Sequence, residues 1–219
     1  SFVYPGGILA VHAAGRSKDQ IWTALKNKNV YGTSGPRILL WFDLINSSQK
    51  KAPMGSEVTM SQNPKFVVRA AGSFKQKPGC SEESVDSLSP DRLEYLCAGE
   101  CYNPSNERHI IERIEVVKIT PQRYAGEAID PLIQDPFLSL PCQGTGECNV
   151  EFEDQQYTRD SVYYVRAIQE STQAINGALL MQRDEFQLCK GSFRTNLDDE
   201  CLSMTNERAW SSPIYLNKP

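Results

Sequence analysis

Residues 6–42, GGILAVHAAGRSKDQIWTALKNKNVYGTSGPRILLWF, decide the fold that this sequence predicts. Two glycines precede the apolar run Ile8–Val11, which is typical of a short strand buried on both faces. Ser17 and Gln20 have the spacing of a capping box, and the apolar residues that follow recur at helical intervals. A second strand, broken by the turn at residues 32–37, comes after the helix. We therefore expect a βαβ unit, the building block of parallel α/β sheets and barrels.

The turn at residues 32–37, GTSGPR, is the strongest candidate for a catalytic and substrate-binding site. Its glycines and proline favour a fixed turn. Thr33, Ser34 and Arg37 then bring two hydroxyl groups and a guanidinium fork close together, which suits a phosphate or a carboxylate. The alternative is a structural turn that joins two parts of the fold, with Arg37 in an ion pair.

The two histidines are weaker candidates. His12 follows the first strand, at the end of a parallel α/β fold where binding sites gather, and a contact to the substrate or to a metal held elsewhere is one interpretation. The other is a histidine that is packed or faces a partner. His109 adjoins a predicted strand and is expected at the surface. Two histidines cannot supply a multinuclear metal site, which needs many His, Asp and Glu ligands.

Two acidic groups were considered as calcium sites, residues 198–200 and the group Glu151, Glu153 and Asp154. Calcium binds oxygen ligands of this kind, but neither group has the spacing of an EF-hand loop. Solvated acidic loops are the favoured interpretation.

The overall composition excludes several classes of partner. The 219-residue chain has a formal net charge of −4, which gives no basic surface for nucleic acid. No apolar run approaches the roughly 20 residues of a membrane-spanning helix. No signal peptide is visible.

The seven cysteines predict disulfides and an oxidising compartment, periplasmic or extracellular. None has the C-x-x-C spacing of a zinc cluster. We expect Cys142 to pair with Cys148, and Cys189 with Cys201. Cys80 is expected to pair with Cys97 or Cys101, which leaves one thiol over.

The rest of the chain predicts strands separated by polar, cysteine-bearing loops. Residues 110–119 and 161–168 are rich in β-branched and aromatic residues, and several shorter runs resemble them. Prolines argue against a helix through residues 121–149, which are interpreted as a loop. The predicted fold is therefore a terminal βαβ piece of an α/β barrel over residues 1–45, followed by an antiparallel β-sandwich over residues 46–219.

Several ordered motifs resemble the C-terminal third of a large, exported bacterial family of unknown function. That family is related to the PHP (polymerase and histidinol phosphatase) metal-dependent phosphoesterases. The motifs that carry the resemblance are GGILAV at 6–11, VYGTSGPRI at 30–38, IEVVKI at 114–119, YYVRAIQE at 163–170 and RAWSSPI at 208–214.

The resemblance implies a parent protein that is a metal-dependent hydrolase, in which a metal-activated water attacks a phosphoester or a similar bond. This chain lacks the ligand-rich N-terminal portion, so it is expected to hold no cofactor and to be inactive alone. Zinc, manganese or iron is expected in the N-terminal part of the parent. The expected partner is that N-terminal part or a second subunit, with an oligomer also possible. The alternative from a different class is an extracellular structural or binding module without catalysis.

Overall fold

The computed structural model describes residues 6–47, 51–97, 101–175 and 202–219, and Cys189 and the acidic residues 198–200 lie outside this part of the chain. The described helices are α1 (Lys18–Lys26), α2 (Glu82–Ser87), α3 (Pro90–Cys97) and a short 3-10 turn (Asp130–Leu132). The described strands are β1 (Ile8–Val11), β2 (Val30–Thr33), β3 (Leu39–Leu44), β4 (Ala52–Pro53), β5 (Glu57–Thr59), β6 (Lys65–Ala71), β7 (Phe74–Pro78), β8 (Tyr102–Arg108), β9 (Ile111–Ile119), β10 (Ile133–Pro141), β11 (Glu147–Glu153), β12 (Ser161–Ile175), β13 (Leu202–Ser211) and β14 (Ile214–Asn217).

The strands form a large sheet, a small sheet and a separate hairpin. The large sheet runs β1-β2-β13-β12-β14-β5, with β9 also paired to β12 and β10 paired to β9. The small sheet runs β11-β6-β3-β4, and β7 and β8 form the hairpin. All these pairs are antiparallel except β14 with β5. The expectation of a mainly β protein is therefore confirmed.

Inward-facing side chains from both sheets form one hydrophobic core. Phe66 of the small sheet is fully buried, and its ring centroid lies 4.9 Å from that of Phe152 in the same sheet. It lies equally close, at 4.9 Å, to the ring of Tyr163 in β12 of the large sheet. Such aromatic pairs add stabilisation beyond the apolar area that they bury.

A buried ion pair crosses this core. Asp154, which directly follows β11, is fully buried, and its Oδ2 lies 2.5 Å from Nζ of Lys118 in β9. The hydroxyl group of Tyr163 donates to the same oxygen at 2.5 Å, and the backbone N–H of Gln156 donates to Oδ1 at 2.8 Å. Burial and then the nearby Asp154 carboxylate raise the pKa of Tyr163, so the phenol stays protonated. A buried charge is tolerated when it is paired and its lone pairs are satisfied, as they are here.

The predicted parallel βαβ unit is wrong in its strand direction. Val11 is paired with Val30, so β2 starts where β1 ends and the two strands are antiparallel. Helix α1 has nine residues, about 13 Å in length, and acts as a long connection at one end of the pair. The capping box of Ser17 and Gln20 is confirmed. The expectation that β1 is buried on both faces is wrong, because Leu9 is 59% exposed.

Strands on either side of residue 45 share sheets. β2 is paired with β13 in the large sheet, and β3 is paired with β6 in the small sheet. The turn at 34–38 carries the chain from one sheet to the other. The boundary predicted at residue 45 therefore does not separate the sheets.

The loop predicted for residues 121–149 contains β10 and the start of β11. The prolines argue only against a helix, and the loop interpretation is wrong, because β10 holds Pro136 after a cis peptide bond and ends at Pro141. Among the described strands, β10 is paired with β9 alone, and an edge strand tolerates residues that lack an N–H. The pairing is irregular between Gln134 and Leu138, where Pro136 lies.

We expect replacement of Asp154 with Ala to destabilise the fold strongly, because it leaves the Lys118 ammonium group buried without a counter-ion. Breaking such a pair costs about 3–5 kcal/mol. Glu153→Ala is the matched control, since Glu153 pairs with Lys65 at 3.4 Å at the surface and such pairs contribute about 0–1 kcal/mol. Urea denaturation measures both. Equal losses in the two variants would contradict a central role for the buried pair.

Candidate functional site

The GTSGPR turn connects β2 to β3 and is fastened to β13. The backbone N–H of Ser34 donates to the carbonyl of Arg208 at 3.0 Å, and the Arg208 N–H donates to Ser34 Oγ at 2.9 Å. The N–H of Gly35 donates to Thr33 Oγ1 at 3.3 Å, and Thr33 is buried. Gly35 has a positive φ of 135°, which a residue with a side chain rarely adopts. The turn is thus held by its own glycine and by hydrogen bonds to the neighbouring strand.

Ser34 also contacts a buried carboxylate that the sequence reasoning missed. The hydroxyl group of Ser34 donates to Oε2 of Glu207, a residue of β13 that is only 8% exposed. Among the described residues no cation lies within ion-pair distance of Glu207. The sequence feature that could have identified Glu207 is its position directly before the RAWSSPI motif, because acidic residues are rarely buried on a central strand.

Arg37, Thr33 and Ser34 come together in the turn, as the sequence predicts, but differ in what they can do. The two hydroxyl groups already take part in hydrogen bonds within the fold. Arg37 is exposed, and within the described part of the chain it has no hydrogen bond or ion pair. The structural ion pair considered for it is therefore not found there. Its assignment to catalysis or anion binding stays a prediction.

His12 is packed rather than open. Its Nε2 lies 2.8 Å from the carbonyl oxygen of Leu40, so this nitrogen carries the proton and donates it. Its ring lies 5.3 Å from that of Tyr31 and 5.8 Å from that of Trp41. These contacts fit the packed interpretation of His12. Its substrate contact stays a prediction.

His109 lies beside a carboxylate at the start of β9. Its Nδ1 is 2.8 Å from Oε1 of Glu170, which also accepts from the Ile110 N–H at 3.2 Å. Burial raises the pKa of Glu170, but the hydrogen bonds from His109 and Ile110 outweigh it and leave the pKa below its ordinary value. The contact joins the residues before β9 to β12. We assign it a structural role.

The interpretation of residues 151–154 as a solvated acidic loop is wrong, because Glu151 and Glu153 lie on β11 and Asp154 is fully buried. Asp154 is bound to Lys118, and Glu153 lies by Lys65. The group of possible metal ligands in the described residues is formed by cysteines, Cys80, Cys97 and Cys101.

Two disulfides lie in the described residues. Cys142 pairs with Cys148, as predicted. Cys80 pairs with Cys101 rather than with Cys97, whose Sγ lies 3.0 Å from that of Cys101. The antiparallel pairing of β7 with β8 brings Cys80 and Cys101 together, because they flank the paired residues Pro78 and Tyr102. The predicted pair of Cys189 with Cys201 lies outside the described residues.

Four apolar side chains of the neighbouring elements β1 and α1 are exposed, and we refer to them together as the β1–α1 surface. It consists of Ile8, Leu9, Ile21 and Trp22, which are 40, 59, 37 and 57% exposed. Ile21 and Trp22 belong to the apolar residues that recur at helical intervals, yet only Ala24 of this helix is buried. Large exposed apolar side chains that belong to neighbouring elements are a common mark of an interaction surface.

Comparison with known proteins gives one match, which lies in the N-terminal part of the chain. The sequence model of a family described as "Protein of unknown function (DUF3604)" matches residues 2–78, or 77 of 219 residues. The matched region contains the GTSGPR turn and the β1–α1 surface. No curated protein and no solved structure matches the chain.

None of the described helices is long and apolar enough to cross a membrane.

We expect Ser34→Ala to destabilise the isolated chain by about 1–3 kcal/mol, because it leaves the buried Glu207 carboxylate without its hydroxyl donor. Arg37→Ala is the control within the same turn and should change stability by no more than about 0.5 kcal/mol, since its side chain is exposed. Urea denaturation with the disulfides intact measures both. A loss at Arg37 as large as that at Ser34 would contradict the assignment of Arg37 as structurally unengaged.

Proposed function

We propose that this chain is the C-terminal portion of an exported metal-dependent hydrolase that acts on phosphoesters or similar bonds. In this proposal the chain completes the catalytic part and adds an accessory β domain, without holding the metal itself. The metal, zinc, manganese or iron, is held by the N-terminal part of the parent protein. The family match over residues 2–78 and the motifs of the resemblance support a relationship to that family, whose function is unknown.

The β1–α1 surface is the observation that carries the proposal. A helix normally buries its apolar stripe, but α1 leaves Ile21 and Trp22 exposed, and the nearby strand β1 leaves Leu9 exposed. Fully burying such a side chain contributes about 1.5–3 kcal/mol. We assign this surface to contact with the N-terminal part of the parent, which would then cover β1, an edge strand among the described strands.

The two histidines and Asp154 also favour a non-catalytic role for this chain alone, because their side chains are engaged in other contacts. A hydrolytic metal site needs several His, Asp and Glu ligands with an open position for water. Here His12 donates to a backbone carbonyl, His109 lies on Glu170, and Asp154 is bound to Lys118. Arg37 is the turn residue available to contact a substrate phosphate held by metal in the other part. The two disulfides fit a periplasmic or extracellular location.

The double variant Leu9→Gln/Trp22→Gln tests the proposal in the whole parent protein. Hydrolysis of bis(p-nitrophenyl) phosphate with added Mn²⁺ or Zn²⁺ should fall at least about tenfold, because polar side chains weaken the docking that completes the active site. The isolated chain should show no turnover. Its melting temperature should be unchanged by the same substitutions, since both side chains are already exposed to water.

Tyr95→Gln is the matched control, because Tyr95 of α3 is 77% exposed and lies outside the β1–α1 surface. It should leave both proteins unchanged. Wild-type turnover and stability of the double variant in the whole protein would show that the surface does not dock. Turnover by the isolated chain, or no metal-dependent turnover by the parent, would contradict the hydrolase assignment itself.

A further inference from the structure

A second surface of the molecule has the properties of a ligand site. An open groove of about 740 Å³ lies on the outer face of the small sheet, within the size range of small-molecule sites. We call it the Arg69 groove. Its polar lining consists of Trp41, Arg69, Arg108, Gln143, Glu147 and Asn149.

Strand register places three of these side chains in one row. Trp41 of β3 is paired with Arg69 of β6, and Arg69 is paired with Asn149 of β11. Residues directly opposite in adjacent strands point to the same side of a sheet, so the three side chains face the groove together. The next row holds Leu39, Ala71 and Glu147, so one carboxylate faces the groove beside the short Ala71 side chain.

Two guanidinium groups in the groove are positioned without carboxylate partners. The guanidinium of Arg69 lies 5.5 Å from the centre of the Trp41 ring, and that of Arg108 lies 3.9 Å from the Phe74 ring. Arg108 also donates to the carbonyl of Gly72 at 2.6 Å. Neither has an ion pair with a described residue, whereas Arg113, Arg159 and Arg166 each pair with a carboxylate.

The wall of the groove is fixed by covalent and hydrogen bonds. The disulfide between Cys142 and Cys148 closes the loop between β10 and β11. The Cys142 N–H donates to the carbonyl of Glu112 at 2.9 Å, and Thr145 Oγ1 donates to the carbonyl of Glu147 at 2.7 Å. A fixed wall lowers the entropy that is lost when a ligand binds.

We propose that the Arg69 groove binds an acidic oligosaccharide made of uronic acid units. Arg69 binds the carboxylate of a sugar, since a guanidinium fork matches a carboxylate in two hydrogen bonds. Gln143, Glu147 and Asn149 bind hydroxyl groups, and they have no side-chain hydrogen bonds within the described residues. Glu147 accepts from hydroxyl groups but repels a dense polyanion, so the groove suits a ligand with many hydroxyls and isolated negative charges.

This site does not depend on the proposed hydrolase activity. The groove carries two positive groups against one negative, in a chain whose net charge is −4. That local excess complements an anionic ligand where the molecule as a whole does not.

Isothermal titration calorimetry on the disulfide-intact chain tests the proposal with trimers of galacturonate, mannuronate and guluronate. At least one trimer should bind, and its methyl ester, which keeps the rings and loses the charge, should bind much more weakly. Arg69→Gln should weaken binding by about ten- to a hundredfold. Asn149→Asp should abolish it, because it places a carboxylate in the same row as Arg69.

Arg92→Gln is the matched control. The guanidinium of Arg92 lies 5.4 Å from the ring of Tyr95, so it has the same kind of support as Arg69 but lies outside the groove. It should leave binding unchanged, and all variants should keep the wild-type melting temperature. The proposal is overturned if none of the trimers binds, if the methyl ester binds equally well, or if Arg69→Gln binds like the wild type. Displacement of the trimer by equimolar inorganic phosphate would also overturn it, in favour of a simple phosphate site.

Discussion

The bond between Lys118 and Asp154 is the constraint on which the rest of the structure depends. Lys118 lies on β9 of the large sheet, and Asp154 directly follows β11 of the small sheet. Their contact therefore joins the two sheets. Tyr163 donates to the same carboxylate and also packs on Phe66. Polar and apolar contacts therefore meet at one place in the core. Separating the two groups would leave an uncompensated charge in the core, which is strongly destabilising.

Two surfaces of different character follow from this arrangement of sheets. The β1–α1 surface lies at the end of the large sheet and exposes apolar side chains. The Arg69 groove lies on the outer face of the small sheet and presents unpaired guanidinium groups. The GTSGPR turn joins the two sheets and fixes β2 to β13 through Ser34, Arg208 and Glu207. The proposed docking surface and the proposed ligand site therefore belong to different sheets of the molecule.

The sequence predicted correctly those features that depend on residues close together in the chain. The capping box of α1, the long strand β9 and the disulfide between Cys142 and Cys148 each depend on residues close together in the chain. The direction of β2 against β1 was predicted wrongly, because a helix between two strands is compatible with both directions. The exposure of Ile21 and Trp22 was not predicted, since periodicity shows that a helix has an apolar face but not what covers it.

Long-range features were beyond local reasoning. Asp154 was considered only as part of an acidic loop, because nothing near it in sequence indicates that Lys118 and Tyr163 approach it. The row of Trp41, Arg69 and Asn149 depends on the register of three strands that are far apart in the chain. Residues 121–149 were interpreted as a loop, whereas Pro136 is accommodated in β10 because that strand lies at a sheet edge among the described strands.

The most direct measurement is the intact mass and metal content of the native species, purified from its natural source under non-reducing conditions. The account predicts a species larger than this 24.6 kDa chain that contains it together with zinc, manganese or iron. A stable, metal-free species of the mass of this chain alone would contradict the account, because the β1–α1 surface would then have no N-terminal part to cover it.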